Sequence, residues 1–415
     1  MGGRRYLIIG AGPAGLAAAA AIRRTDPIGR LTILSAESDR PYFRPLIPFV
    51  VSGKKTGDAI TIAGRGPFPA EELDIRLNSR VVAIDPDRRI VQLADTAKLP
   101  YDRLLIASGG RPLVPAALAG CPGPGIFTLR TLADARAIAA RLLTTRQAVL
   151  LGGGILCLKL AAALREKGIA VTIVECAATV LPRLLDADGA AIIADALSRT
   201  GVRVVTSRTI ADIRQDGEGV REVELDNGEV LPCQMVCIGI GVQPALDFLA
   251  PDLLTPSGGL AVNEFTESRI EGIYAAGDAA VSLDRCSGEM IAGGLWTTAV
   301  EMGRCAGFTM AGRRVAYEGG MAVMNAAQVG DTPFVAMGMV QGDPDCDLIY
   351  AERRGRTYHR LVFSGDGRTL RGALFITDIS RAGIYRQLLC GKRPLPRDRQ
   401  ALCDHRLHYG HWLAR

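Results

Sequence analysis

The chain contains 415 residues, of which 48% are hydrophobic, 22% charged and 5% aromatic. This composition excludes a disordered or fibrous protein, and the length predicts two or three domains at roughly 150 residues each. The net charge is +6, but residues 353–415 hold fourteen Lys and Arg against four Asp, a net +10 that leaves −4 for the rest. The C-terminal segment is therefore predicted to be a distinct basic unit.

The ten cysteines are scattered and include no C-x-x-C pair. The closest two, Cys233 and Cys237, lie in an apolar, strand-like run without the further Cys or His that a metal or iron–sulfur site needs. The pattern predicts buried thiols, no metal and a reducing compartment, which favours a cytoplasmic protein.

The N-terminus allows two interpretations. Arg4 and Arg5 before the apolar residues 6–22 are similar to the charged and hydrophobic regions of a signal peptide. We favour a strand, a glycine turn and an Ala-rich helix, because no clear A-x-A cleavage site follows. No stretch reaches the ~18 uninterrupted apolar residues of a membrane span, so neither secretion nor a membrane span is expected.

The first glycine turn lies in RYLIIGAGPAGLAAAAAIRR. Gly10 permits a tight turn, Gly12 lets the backbone approach a pyrophosphate, and Gly15 lets the helix pack on the strand. Phosphates bind at such a helix N-terminus, where free N–H groups favour negative charge. A second strand at residues 31–34 leads to Glu37, which is placed to bind ribose hydroxyls. The segment predicts a dinucleotide site.

A second turn repeats the pattern about 140 residues later, counted along the printed sequence. A strand leads to the glycines at Gly152 and Gly154, and a helix and a further strand end at Glu175. Glu175 would bind a ribose 2′-OH and repel a 2′-phosphate, which favours NAD over NADP; the alternative is a solvated strand-end acid. The third glycine position holds Cys157, whose small side chain still permits fairly close packing of the helix on the strand.

Two later strands end in residues suited to a ligand. Residues 101–110 read YDRLLIASGG and end in small residues, where the chain must pass close to a bound group. Residues 266–281 contain a second apolar strand, which ends at Gly277 and Asp278. An Asp beside a glycine at the carboxyl end of a strand is well placed to bind a polyol hydroxyl.

With these motifs the chain resembles the two-dinucleotide-fold flavoproteins, the pyridine nucleotide–disulfide oxidoreductase family, from about residue 4 to residue 312. The resemblance implies that the first turn binds FAD and the second binds NAD. It implies FAD contacts from Gly10, Gly12, Ala14, Gly15, Glu37, Arg44, Pro45, Val82, Ser108, Gly109, Gly277, Asp278 and Trp296. It implies NAD contacts from Gly152, Gly154, Ile155, Leu156, Glu175, Gly239 and Gly241.

The departures from the family indicate the branch. Disulfide reductases carry a redox-active Cys pair beside the flavin, whereas residues 40–55 here contain no cysteine. The C-terminal H-x-x-x-x-E of dimeric disulfide reductases is absent too, because Gly410 follows His405 by five residues. Electrons must therefore leave by direct transfer to another carrier. The combination is similar to the NADH:rubredoxin and ferredoxin-reductase branch, and to the flavin portion of nitrite reductases.

The resemblance places three side chains near the isoalloxazine. Arg44 is expected to stack on it or hydrogen-bond to it and to stabilise its reduced form, with Pro45 fixing the turn. Lys159 is the second catalytic candidate, near flavin N5, and Trp296 is expected on the pyrimidine side. The alternatives are a solvated loop arginine, a helix-surface lysine and a core tryptophan.

The predicted fold class is α/β, with two Rossmann-like dinucleotide-binding domains and a small α+β C-terminal domain. Residues 1–112 and 245–322 form the FAD domain, 113–244 the inserted NAD domain, and 323–415 the C-terminal domain. The last has strands at 357–363 and 369–376 and a helix at 380–389.

The predicted function is electron transfer between NAD(H) and an iron–sulfur carrier or subunit, which docks on the basic C-terminal domain. An NADH oxidase or diaphorase with oxygen or quinone as acceptor, and a non-catalytic FAD scaffold, are the alternatives. The arginines could instead pair with acids of a neighbouring domain or a second copy. No nucleic-acid partner is expected, because interleaved aromatics and a binding motif are lacking; a homodimer and a heteromeric complex both stay open.

Overall fold

The computed structural model describes residues 3–62, 73–121, 123–284, 286–321, 323–391, 395 and 402–404. Three five-stranded sheets organise the described chain, two of them parallel and one antiparallel. Together with the helices that follow the parallel strands, they confirm the α/β fold class. No helix in the described ranges combines the length and the apolar character needed to cross a bilayer.

The first parallel sheet has the strand order β19-β7-β1-β2-β3. Its strands are β19 (Ile273–Ala275), β7 (Arg103–Ile106), β1 (Arg5–Ile9), β2 (Arg30–Leu34) and β3 (Asp74–Arg76). Helix α1 (Pro13–Thr25) follows β1 and packs against α7 (Trp296–Met310). A Cβ at Gly303 or Gly307 of α7 would overlap the Ala14 or Ala18 carbonyl, so only glycine permits this approach.

The second parallel sheet has the order β12-β11-β10-β16-β9. Its strands are β12 (Val202–Thr206), β11 (Ala170–Glu175), β10 (Gln147–Leu151), β16 (Met235–Ile238) and β9 (Ile126–Thr128). The helices are α4 (Leu132–Arg141), α5 (Ile155–Glu166) and α6 (Ala187–Arg199). Buried aliphatic side chains of β10, β11 and α5 form the core, as the apolar runs predict.

Smaller elements lie around these two sheets. One ribbon is formed by β4 (Val81–Asp85), β5 (Ile90–Leu93) and β6 (Lys98–Pro100), and another by β13 (Ile210–Asp216), β14 (Gly219–Leu225) and β15 (Val230–Pro232). A third contains β18 (Leu260–Ala261), β20 (Ala280–Leu283) and β21 (Met290–Ala292). The short helices are α2 (Ile47–Val51) and α3 (Ala116–Ala119).

A two-stranded ribbon connects the two parallel sheets. It pairs β8 (Gly110–Pro112) with β17 (Val242–Pro244) in antiparallel register. The chain therefore leaves the first sheet and returns to it at the same place, and the residues between form the second sheet. This ribbon lies beside the domain boundaries predicted at residues 112 and 245.

The antiparallel sheet follows, in the order β22-β23-β26-β25-β24. Its strands are β22 (Met324–Val329), β23 (Thr332–Gly338), β26 (Leu370–Ile376), β25 (Thr357–Ser364) and β24 (Asp347–Arg354). Helix α8 (Ala382–Gly391) covers one face, where the buried ring of Tyr385 lies 4.7 Å from that of Phe375. Strands followed by a helix are what the sequence predicts here.

Candidate functional site

The first glycine turn joins β1 to α1. Gly10 has a φ of 108°, and a Cβ there would overlap the Ala107 carbonyl oxygen. A Cβ at Gly15 would overlap the Gly10 carbonyl, whereas one at Gly12 would meet nothing within 4 Å. The outer two glycines therefore permit close packing, and Gly12 faces open space at the helix N-terminus, where a phosphate binds favourably.

The second turn has the same design with one substitution. Gly152 has a φ of 113°, and a Cβ at Gly154 would again meet nothing within 4 Å. The thiol of Cys157 replaces the third glycine and packs where a Cβ at Gly239 would lie. The glycine at the end of β16 thus makes room for the cysteine. Burial raises the pKa of Cys157 to about 12, so this thiol is not a reactive thiolate.

Glu175 ends β11 beside the second turn and is 8% exposed. Its Oε2 accepts a hydrogen bond from the Gly153 amide at 2.5 Å, and its Oε1 accepts one from the Ala177 amide at 2.8 Å. A carboxylate has about four lone-pair sites, so it can accept further donors. The two hydrogen bonds fix the orientation of the Glu175 carboxylate beside the second glycine turn.

Glu37, the corresponding acid of the first turn, is held by two side chains. Arg44 Nη2 donates to Glu37 Oε1 at 2.6 Å, and the Tyr42 hydroxyl donates to Oε2 at 2.5 Å. Arg44 also donates to the Arg130 carbonyl at 2.5 Å. Burial alone would lower the pKa of Arg44, but the charge of Glu37 raises it overall. Glu37 and Arg44 therefore form a partly buried ion pair.

The structure thus bonds Arg44 to Glu37, the acid expected at the adenosine ribose of FAD. The partly buried carboxylate seven residues earlier attracts the guanidinium. The position of Arg44 against the isoalloxazine stays a prediction.

Arg130 is a candidate site residue that sequence reasoning missed. Its Nη2 donates to Asp278 Oδ2 at 2.9 Å, and a Cβ at Gly109 would lie 3.4 Å from the same guanidinium. The Arg130 amide is held by Asp134, within the capping box that starts α4. The arginine thus lies between the two strand-end motifs expected to bind FAD. The capping box is visible in the sequence, but nothing local distinguishes this arginine from others.

Ser108 provides an independent indication of a ligand. Its Oγ is buried and has no hydrogen-bond partner among the described residues. Gly277 has a φ of 71°, and a Cβ there would lie 3.4 Å from the Cβ atoms of Ala14 and Ala299. Buried hydroxyls are almost always satisfied. An unsatisfied hydroxyl, the Asp278 carboxylate and the open space at Gly12 fit a ligand with a polyol and a pyrophosphate, as FAD has.

The remaining candidate site residues lie outside the first glycine turn and the two strand-end motifs. Trp296 begins α7, and its ring centroid is 5.6 Å from that of Phe43. Lys159 is half-buried on α5 and forms no ion pair with any described residue, and burial lowers its pKa. Leu156 and Val82 are 37% and 41% exposed.

Other named residues occupy the turns themselves. Ile155 begins α5 directly after Gly154, and Pro45 lies in the short 3-10 turn Arg44–Leu46. Gly241 has a φ of 128°, and its carbonyl accepts the Leu113 amide at 2.9 Å.

A family model for pyridine nucleotide-disulphide oxidoreductases matches residues 4–303. The chain belongs to this family. It is an oxidoreductase that binds FAD and NAD(H), as the sequence predicts.

Several relatives are similar to this protein over most of the chain. One is the NADH-dependent phenylglyoxylate dehydrogenase subunit epsilon of Aromatoleum evansii, 28% identical over 399 residues, which are 94% of this chain and 92% of that protein. An NADH oxidase of Methanocaldococcus jannaschii is 30% identical over 88% of this chain and 86% of its own. The NADH-rubredoxin oxidoreductase of Clostridium acetobutylicum is 30% identical over 75% of this chain and 76% of its own.

Solved structures show the same fold. Putidaredoxin reductase, in its covalent complex with putidaredoxin, superposes with a TM-score of 0.86 at 23% identity and covers 95% of both chains. The C. acetobutylicum NADH:rubredoxin oxidoreductase gives a TM-score of 0.77 at 24% identity over 97% of this chain and 100% of that one.

The cysteines lie away from the segment in which the family resemblance expects a redox-active thiol. The ten cysteines form no disulfide bond among the described residues, and residues 40–55, which include Phe43, contain no cysteine. Burial raises the pKa of the Cys237 thiol as it does that of Cys157. Among the residues that the structure describes, no three His, Cys, Asp or Glu side chains are grouped to hold a metal ion.

Proposed function

We propose that this protein moves electrons between NAD(H) and an iron–sulfur protein through bound FAD. Two observations together carry the proposal. Each of the two glycine turns leaves open space at a helix N-terminus, and residues 40–55 contain no cysteine. Relatives named NADH-rubredoxin oxidoreductase and ferredoxin--NAD(+) reductase component support the same acceptor class. When bound, FAD supplies the chemistry that links a hydride donor to a one-electron carrier.

The residues of the first site would hold FAD along its length. The N-terminus of α1 at Gly12 binds the pyrophosphate, and the Glu37 carboxylate accepts hydrogen bonds from the hydroxyls of the adenosine ribose. Arg44 holds the Glu37 carboxylate in position. Asp278 and the Ser108 hydroxyl bind the ribityl chain. Arg130, bonded to Asp278, adds a positive charge between the two motifs.

The residues of the second site would hold NAD(H). The N-terminus of α5 at Gly154 takes the pyrophosphate, and Glu175 binds the adenosine ribose. Lys159 lies one turn further along α5, and Trp296 and Phe43 form an aromatic pair in the first domain. These side chains orient the two ring systems and exclude water from them. The alternative for Lys159 is an ordinary helix-surface lysine.

The iron–sulfur partner would dock on the basic C-terminal unit. Positive charge near the flavin raises the encounter rate with an acidic carrier, most strongly at low salt. At least five of the eight arginines described between residues 353 and 391 pair with a carboxylate at 3.8 Å or less, namely Arg354, Arg356, Arg360, Arg368 and Arg371. The proposal therefore relies on Arg393, Arg397 and Arg399, which lie outside the described residues.

The function is tested under anaerobic conditions. The protein is reduced with NADH and offered rubredoxin, ferredoxin and a viologen as separate acceptors. Fast transfer to an iron–sulfur protein supports the proposal. Fast reoxidation by air with slow transfer to every protein acceptor would favour the second candidate, an NADH oxidase, for which the M. jannaschii relative is the supporting observation.

The docking surface is tested by charge reversal. Replacing Arg393, Arg397 and Arg399 together with Glu should slow transfer to the protein acceptor about ten-fold at low salt and spare transfer to the viologen. Equal loss of both activities, or rates independent of ionic strength, would contradict the proposal.

A matched control reverses three exposed arginines in the first domain. Arg30, Arg88 and Arg269 lie far from the C-terminal unit in sequence and are exposed. Their replacement with Glu changes the net charge by the same amount. Transfer to the protein acceptor should fall much less than in the C-terminal variant.

A further inference from the structure

The segment after Glu175, residues 176–186, connects β11 to α6 and returns to the second glycine turn. The Leu181 amide donates to the Gly153 carbonyl at 3.0 Å. Leu181 is buried and has a φ of 51°, a left-handed conformation that a non-glycine residue adopts only when its surroundings hold it there. Since Glu175 accepts the Gly153 amide, Gly153 is bonded on both sides by this segment and the strand before it.

The C-terminal domain holds the far part of this segment. Gln341, just beyond β23, donates through Nε2 to the Pro182 carbonyl at 2.9 Å and to the Leu185 carbonyl at 2.5 Å. Both carbonyls lie within four residues of Leu181. Gln341 thus fixes the stretch that presses Leu181 onto the glycine turn.

A partly buried ion pair fixes the end of the segment. Asp186 caps α6 and accepts hydrogen bonds from the Tyr358 hydroxyl at 2.5 Å and from Arg360 at 3.2 Å. The Asp186 and Arg360 side chains are 11% and 15% exposed. Arg360 also donates to the Gln341 carbonyl at 2.9 Å, so the same arginine positions the glutamine.

We infer that Gln341, supported by Arg360, is a positioning residue for NAD(H) binding. It acts from the C-terminal domain through residues 182–185 and Leu181 on Gly153, beside the acid assigned to the ribose. The inference rests on the proposed NAD(H) site at the second turn. It gives the C-terminal domain a role in nucleotide affinity that is separate from docking a partner.

The test replaces Gln341 with Glu, which has the same shape but places an acceptor against the two carbonyl oxygens. Calorimetry with NAD⁺ should show a Kd raised about five-fold or more, ~1 kcal/mol, the net worth of a typical hydrogen bond. KM for NADH should rise with it, while kcat, FAD content and Tm stay near the wild-type values. Gln341→Ala should give a smaller rise and serves if the Glu variant does not fold.

Gln328 provides the matched control. It lies in β22 of the C-terminal sheet and donates through Nε2 to the Gly330 carbonyl at 2.8 Å instead of to residues 176–186. Gln328→Glu should leave the Kd for NAD⁺ within about two-fold of the wild type, a change of less than ~0.5 kcal/mol.

A folded, FAD-loaded Gln341→Glu variant with wild-type affinity would overturn the inference. So would an equal weakening in the Gln328→Glu control, because the effect would then not be local. Failure of the wild-type protein itself to bind NAD⁺ would instead refute the proposed NAD(H) site.

Discussion

Glu175→Gln removes one negative charge from the second turn with almost no change of shape. In the structure both carboxylate oxygens accept backbone N–H groups, from Gly153 at 2.5 Å and Ala177 at 2.8 Å. An amide offers only one oxygen, so its NH₂ group must turn toward one of these donors or toward the ribose. The variant therefore weakens the ribose contact and removes the repulsion of a 2′-phosphate at the same time.

The two effects can be given magnitudes. A hydrogen bond to a charged acceptor contributes ~1.5–3 kcal/mol, so the variant should lose roughly ten-fold or more in kcat/KM for NADH. Two unit charges about 5 Å apart repel by roughly 3 kcal/mol at an effective dielectric constant of about 20, and this repulsion of NADPH is relieved. The lost ribose contact alone should remove a wild-type preference for NADH of about ten-fold, and the relieved repulsion should shift the ratio further toward NADPH.

The assay is anaerobic flavin reduction by NADH and by NADPH, with kcat/KM measured for each. Glu166→Gln is the control, because Glu166 lies at the exposed end of α5 and pairs with Lys54 instead of the turn. Its ratio of the two kcat/KM values should match the wild type. An unchanged ratio in Glu175→Gln, or a wild-type protein that prefers NADPH, would refute the role of Glu175.

Three further outcomes are expected. Alkylation of the accessible thiols should leave NADH-to-viologen turnover largely intact, since residues 40–55 contain no cysteine; a loss beyond about 100-fold, ~2.7 kcal/mol, without loss of FAD would reveal a thiol relay. Arg44→Met leaves Glu37 without its cation and should raise the dissociation constant of FAD about ten-fold, ~1.4 kcal/mol, and FAD retention equal to the wild type would contradict this role. Gly307→Ala forces a methyl group into α1 and should lower the stability by ~1–3 kcal/mol in thermal unfolding, whereas Gly294→Ala, which faces open space, should leave Tm unchanged.

The parts of the site that are local in sequence could be predicted from it. The strand, glycine turn and helix at Gly10 and Gly152 each occupy fewer than thirty residues, and the acid at the end of the next strand follows from the same spacing. The structure has the strand predicted at residues 31–34 as Arg30–Leu34, and it has a strand, a turn and a helix at each glycine motif.

The contacts between distant segments could not be predicted in this way. Arg130 meets Asp278 across 148 positions of sequence, and Gln341 meets Pro182 across 159. The ion pair of Arg44 with Glu37 is also absent from the sequence prediction, because the motif around Arg44 suggested only a ligand. Such pairings depend on how the sheets pack against each other, and neither periodicity nor motif spacing predicts that packing.

The order in which the strands are made follows from the sheet topology. All strands of the second parallel sheet lie within residues 126–238, so they are synthesised consecutively, without strands of the first sheet between them. The first sheet still lacks β19 at that moment, and β7 has an open edge until residue 275 emerges. Open edges recruit other strands. The second sheet can therefore fold during synthesis, before the first sheet is complete. A fragment ending at residue 112 would lack β19 and would expose the edge of β7 permanently.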